Sequence, residues 1–152
     1  MSSDVSAALR RMVAERAYGV CEYCLVHEFD LYHGCEVDHV ISAKHGGLTV
    51  PENLAYACFH CNRHKGTDLG SMGLQTGKLV GFFNPRSDRW KKHFYMTGAR
   101  VEALTETGEV TSRILEFNHP ERLAFRQLLV EIGRYLTVEA LMADRSCKPD
   151  GQ

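Results

Sequence analysis

The chain has 152 residues, 44% of them hydrophobic, which is enough for one ordinary globular domain with its own core and too few for two large ones. A formal net charge of −1 hides a division: residues 1–59 hold 4 Lys/Arg against 8 Asp/Glu, residues 60–100 hold 8 against 2, and residues 101–152 hold 6 against 9. The basic middle suits a polyanion, although such a run is more often a solvated face. The opening MSSDVSAALRRMVAER lacks the apolar run of a secretory leader and no stretch of 18 apolar residues occurs, so the expectation is a soluble, cytoplasmic chain with no membrane partner.

In chain order, residues 3–18 are predicted to form an amphipathic helix capped by Ser3 or Asp4, with Val5, Leu9, Met12 and Val13 on an apolar stripe that ends at Arg16. A strand follows at 36–41, then a loop marked by Gly46-Gly47 and Pro51, a short strand at 54–57 and a helix at 60–66. The glycine-rich LGSMGLQTG reads as a connector to a strand in KLVGFF, which Asn84-Pro85 terminates. Residues 90–96 and 100–104 read as two strands joined at Thr97-Gly98. Two helices close the chain, near 109–117 and 120–136, the second with Pro120 in its first turn and Leu123, Leu128, Leu129, Ile132 and Leu136 on its buried side. Arg86, Arg89, Lys91 and Lys92 are the densest part of the basic island and candidates for a nucleic-acid backbone, with Trp90 able to stack on a base. The preferred reading places Trp90 in the core with solvated charges around it.

Cysteine spacing carries the first chemical signal. Cys21 and Cys24 form CEYC, Cys58 and Cys61 form CFHC, and two residues between thiolates let one tight turn present both sulfurs to a single ion. Two such turns complete the tetrahedron of a structural Zn²⁺ site and leave no open position for water. A redox pair would not require a second copy, and no thioredoxin-like pattern surrounds either one. His27, His33 and His60 are further donors nearby, but four thiolates already fill the site. Cys35 and Cys147 read as a strand cysteine and a tail cysteine.

Between the knuckles stand Asp38-His39-Val40-Ile41, Lys44-His45-Gly46-Gly47 and Glu52-Asn53-Leu54, followed by Cys61-Asn62-Arg63-His64-Lys65-Gly66. In this order they resemble the HNH nuclease family over about residues 20–68, with paired zinc knuckles around a ββα-metal core. The expected fold is therefore α+β: a zinc-stapled, treble-clef-like ββα-metal core (about 18–68) with an N-terminal helix and a C-terminal β-plus-helix extension (about 69–152), all in one domain.

Phosphodiester hydrolysis needs a base for water, a cation for the phosphate and leaving oxygen, and dipoles that hold both. His39 is the candidate base, since an imidazole of ordinary pKa about 6.5 accepts a proton at neutral pH. Asp38 offers a hard oxygen to a divalent ion such as Mg²⁺ or Mn²⁺. Alternation along a strand separates the two neighbours' tasks. The resemblance implies that Asn53 holds the loop and the base, and that Asn62 is the second ligand of the catalytic ion. This makes an H-N-N version, with His64 as the alternative ligand. Lys65 fits the family's C-N-x-x-K pattern and is expected at a phosphate, as are Arg63 and His45 on weaker grounds.

These residues imply a metal-dependent endonuclease acting on DNA, with duplex favoured and RNA left open. The alternatives are a catalytically silent, zinc-dependent nucleic-acid-binding module and a protein-interaction zinc domain.

Overall fold

A computed structural model of the protein describes residues 5–145, so the expected caps Ser3 and Asp4 and the tail residue Cys147 lie outside the described residues. Helix α1 runs Ala7–Arg16, and Ser6 caps it by accepting from the Leu9 N–H at 3.1 Å. Its stripe buries Val13 and Ala17 against Leu54 and Tyr56, with Leu9 and Met12 at the edge. Arg16, where the stripe turns polar, donates to the carbonyls of Pro51 (2.9 Å) and Leu54 (2.6 Å) and so ties α1 to the chain entering the second strand.

Strands β1 (Cys35–His39) and β2 (Leu54–Cys58) pair antiparallel, with Cys35 opposite Cys58 and His39 opposite Leu54. Helix α2 (Phe59–Lys65) leaves β2 without a connecting loop. The hairpin is a two-faced layer: Cys35 and Val37 pack toward α1, while Glu36 and Asp38, one residue out of phase, meet α2. Both strands and the helix fall within one or two residues of the positions that hydrophobic periodicity predicts.

The extension departs further from expectation. The glycine-rich connector contains a strand, β3 (Gly70–Met72), which pairs with β4 (Leu79–Gly81). A Cβ on Gly70 would lie 2.1 Å from the Val80 carbonyl oxygen, so close approach of the two backbones is what requires glycine there. Trp90–His93 forms a helical turn, α3, rather than the start of a strand, and β5 (Phe94–Thr97) pairs with β6 (Arg100–Ala103) around Gly98. Helix α4 begins earlier than expected, at Glu106–Ile114, because the Thr105 hydroxyl caps it by accepting from the Gly108 N–H at 3.0 Å.

Helix α5 (Pro120–Glu131) stops short of residue 136, and a further helix, α6 (Val138–Arg145), follows. The buried side of α5 also differs from expectation: Leu129 is inside, whereas Leu128 and Ile132 are exposed. Arg122, Arg126 and Leu129 form the inward row at i, i+4 and i+7, and no hydrophobic pattern identifies a stripe whose members include two arginines.

One buried cluster joins the knuckles to the extension, running from Val20, Tyr23 and Cys24 through Phe83, Trp90, Phe94 and Phe117 to Leu129 and Tyr135. Polar ties reinforce it. Trp90 Nε1 donates to the Tyr23 carbonyl and the Tyr135 hydroxyl to the Cys24 carbonyl, each at 2.8 Å. Trp90 is therefore core. Arg86, a candidate for backbone contact, instead turns inward to the buried Glu22 carboxylate, whose other oxygen accepts the Tyr56 N–H. Arg89 lies 3.9 Å from Asp144. Of these four, Lys91 and Lys92 are exposed. Among the described residues no helix is long and apolar enough to cross a membrane.

Candidate functional site

Cys21 and Cys24 close one tight turn, and Cys58 and Cys61 another at the junction of β2 and α2. In each turn the second cysteine's N–H points at the first sulfur, at 3.5 Å for Cys24 to Cys21 and 3.4 Å for Cys61 to Cys58. The four Sγ atoms all lie within 4.8 Å of one another and are buried. The cross-pair distance from Cys24 to Cys58 is 3.8 Å, far too long for a disulfide; it matches the edge of a zinc tetrathiolate tetrahedron, about 3.8 Å for Zn–S bonds near 2.3 Å. The donor set and spacing therefore fit zinc. Burial pushes the Cys21 and Cys61 thiols up, while hydrogen bonds from Cys21, Cys58 and Cys61 pull Cys24 down. Four buried sulfurs share negative charge readily only with a cation among them.

The loop between β1 and β2 is held by one side chain. Asn53 Oδ1 accepts the Ile41 N–H at 2.9 Å, while its Nδ2 donates to the carbonyls of Ile41 (2.9 Å) and Leu48 (2.8 Å). The amide thus satisfies the start and the end of the loop together. Gly46 and Gly47 serve separate needs within it. Gly46 ends a 3-10 turn, Ala43–His45, at φ +87°, and a Cβ on Gly47 would fall 1.6 Å from the Ile41 carbonyl oxygen. The loop closes only because position 47 lacks a side chain.

At the end of β1, His39 is half-buried, and its Nε2 lies 2.9 Å from the Thr49 hydroxyl. Asp38 points to the other side of the strand and is 8% exposed. Lys65, 2% exposed, sets its ammonium 3.0 Å from the Asp38 carboxylate and 2.9 Å from the His39 carbonyl. Burial raises the Asp38 pKa, opposed by Lys65 and His39. Lys65 therefore departs from the expected phosphate contact: its head group is inside, fixing the end of the strand.

Asn62 sits one helical turn before Lys65 on the same face of α2, and its Nδ2 donates to Glu36 Oε1 at 2.6 Å. Glu36, Asp38 and His39 line a groove of about 650 Å³, walled on the far sides by Arg10 of α1 and by Ser42 and Lys44 of the loop. The other expected positions lie elsewhere. His64 pairs with Glu116 at 2.9 Å, Arg63 rests its guanidinium 5.8 Å from the centre of the Phe59 ring, and His45 is exposed on the loop.

Residues 21–68 match the family model described as HNH endonuclease. The match starts at the first knuckle cysteine and ends just beyond α2, so it covers both knuckles, the hairpin, its loop and the helix. No curated protein and no solved structure matches the chain.

Around this matched segment the structure adds groups that motif reading passes over. Glu36 shares a face with Asp38 by strand alternation, a signal present in the sequence. Thr49 and Arg10 carry no such signal, because only folding brings Thr49 to His39 Nε2 and Arg10 to the wall of the same groove. The same holds for Arg122, whose Nη2 reaches Cys61 Sγ at 3.2 Å from 61 residues away.

Proposed function

We propose that the protein is a metal-dependent endonuclease hydrolysing DNA phosphodiester bonds, with His39 as general base, in a single domain that includes the extension. The observation that carries this reading is that Asp38 and His39, consecutive on β1, both line one groove that Arg10 and Lys44 also border. The imidazole takes a proton from water attacking the phosphate, and Thr49, at Nε2, fixes the ring's orientation. Asn53 acts as a positioning residue, holding the loop that carries Thr49 against the end of β1. Lys65 positions the Asp38 carboxylate and the His39 backbone together.

Asp38 and Asn62 offer hard oxygen atoms, and since Nδ2 of Asn62 is engaged by Glu36, its Oδ1 is the atom left for a ligand role. A divalent cation held there, Mg²⁺ or Mn²⁺, would offset negative charge on the phosphate and on the leaving 3′ oxygen. Arg10 and Lys44 flank the path of the backbone, and duplex DNA is the favoured substrate. The products are 5′-phosphate ends. Zinc serves structure, since four thiolates leave it no open position.

A second reading, a nucleic-acid-binding module without cleavage, is favoured by one feature: Asp38 is engaged by Lys65, and Asn62 by Glu36. A plasmid-nicking assay with Mg²⁺ or Mn²⁺, run on the zinc-loaded protein and on His39→Ala, separates the two. Nicking by the wild type that His39→Ala abolishes supports the endonuclease. Binding without nicking at any metal concentration supports the second reading, and absence of both rejects both.

A further inference from the structure

Arg122 enters the sulfur cluster from a part of the chain that the HNH match does not cover. Its Nη2 lies 3.2 Å from Cys61 Sγ and 3.9 Å from Cys58 Sγ. The other arm of the fork, Nη1, donates to the carbonyls of Leu115 (2.7 Å) and Glu116 (3.2 Å), at the C-terminal end of α4. The guanidinium carbon stands 5.7 Å from the centre of the Phe117 ring. One nitrogen is thus anchored by the extension, and the other is aimed at the knuckles.

Charge explains why an arginine stands there. Four thiolates around Zn²⁺ carry a net charge of −2, and all four sulfurs are buried, so the centre needs compensation that water does not supply. Arginine suits the position because its rigid, weakly hydrated fork can serve carbonyls and sulfur at once, whereas a lysine ammonium is a compact point charge. A cavity of about 320 Å³ borders Cys24, Cys58 and Arg122, between the segment 30–32 and α5, so the guanidinium also forms part of the wall nearest the sulfurs.

We propose that Arg122 is a positioning residue of the zinc centre: it donates N–H···S hydrogen bonds that weaken the donor strength of the thiolates, retain the metal, and make zinc retention and docking of α5 a single equilibrium. This does not depend on whether the groove cuts DNA, and its test does not use nuclease activity. Arg126 provides the control. It lies one turn along the same helix, is buried where Arg122 is half-buried, and spends its guanidinium on Ala99, Phe117 and Asn118 without touching sulfur.

The experiment uses the full chain loaded with Zn²⁺ or Co²⁺, as wild type, Arg122→Met, Arg122→Lys and Arg126→Met. Zinc transfer to a coloured chelator is expected to be about tenfold faster or more in Arg122→Met, on the scale of a lost hydrogen bond to a charged group. The sulfur-to-cobalt charge-transfer band is expected to move to lower energy, because thiolates without N–H donors are better electron donors. Arg122→Lys should fall between wild type and Arg122→Met. Arg126→Met should lower the melting temperature and leave the band in place. A wild-type band and wild-type release rate in Arg122→Met overturn the proposal, as does a band shift in Arg126→Met equal to that in Arg122→Met. If Arg122→Met does not fold with metal, Arg122→Lys decides, and a wild-type band in it also overturns the proposal.

Discussion

Replacing Asn53 with alanine removes three hydrogen bonds of 2.8–2.9 Å at once, all to the backbone of the loop between β1 and β2. At about 1 kcal/mol net apiece the upper bound is about 3 kcal/mol. Ile41 and Leu48, which carry the partner groups, are 42% and 67% exposed, so water replaces part of what is lost and the expected cost falls to about 1–2 kcal/mol. In a chain of this size that lowers the melting temperature by roughly 2–8 °C. The assay is thermal denaturation of zinc-loaded protein combined with hydrogen exchange at the Ile41 amide, which should lose protection. Glu52→Ala, at the exposed neighbouring position, serves as the control. Asn53→Asp sharpens the test, because a carboxylate still accepts the Ile41 N–H but sets negative charge against two carbonyl oxygens, so aspartate should be no better than alanine. An Asn53→Ala protein that melts with the wild type and protects Ile41 equally would refute the claim that this amide holds the loop.

Lys65→Met leaves the Asp38 carboxylate buried without its partner and should cost about 3–5 kcal/mol in urea unfolding; adding Asp38→Leu should recover most of it, and additive losses would contradict the pairing. Because burial raises the Asp38 pKa, its contribution to stability is complete below the ordinary carboxyl value of about 3.9 and is lost as pH rises through the raised folded value. The stability of wild type relative to Asp38→Asn should therefore decline across that window, and a flat difference would show that Asp38 titrates normally. Gly47→Ala should be more damaging than Gly46→Ala, because the added methyl at 47 meets the Ile41 carbonyl whereas that at 46 meets open space and costs only the about 1–2 kcal/mol of a left-handed alanine; equal melting temperatures would contradict this.

His39 and the zinc centre lie at opposite ends of the same small hairpin. Cys35 and Cys58 mark one end of the β1–β2 register, and His39 and Leu54 the other. A residue that anchors the knuckles therefore also sets the tilt of β1, and with it the direction of Asp38 and His39. Helix α2 couples the two ends, since Cys61, Asn62 and Lys65 are three positions on less than two turns of one helix.

Features that depend on short chain separations can be read from the residues alone. Two residues between cysteines dictate a turn that presents both sulfurs, strand alternation places Glu36 and Asp38 on one face and His39 on the other, and the Gly46-Gly47 pair marks a loop that needs both an unusual φ and a missing side chain. The hairpin and α2 were legible for the same reason, because periodicity reports local geometry. Tertiary structure alone decided which cations are spent inside. Lys65, Arg86 and Arg122 read as surface charges in any window of the chain, yet each turns its head group inward to a partner brought to it by folding: Asp38, Glu22 and the sulfurs. A buried arginine is stable only where acceptors from several segments converge, and no local pattern records where those segments will meet. The inward row of α5 escapes the hydrophobic pattern for that reason, and the same convergence brings Thr49 to His39 and Arg10 to the wall of its groove.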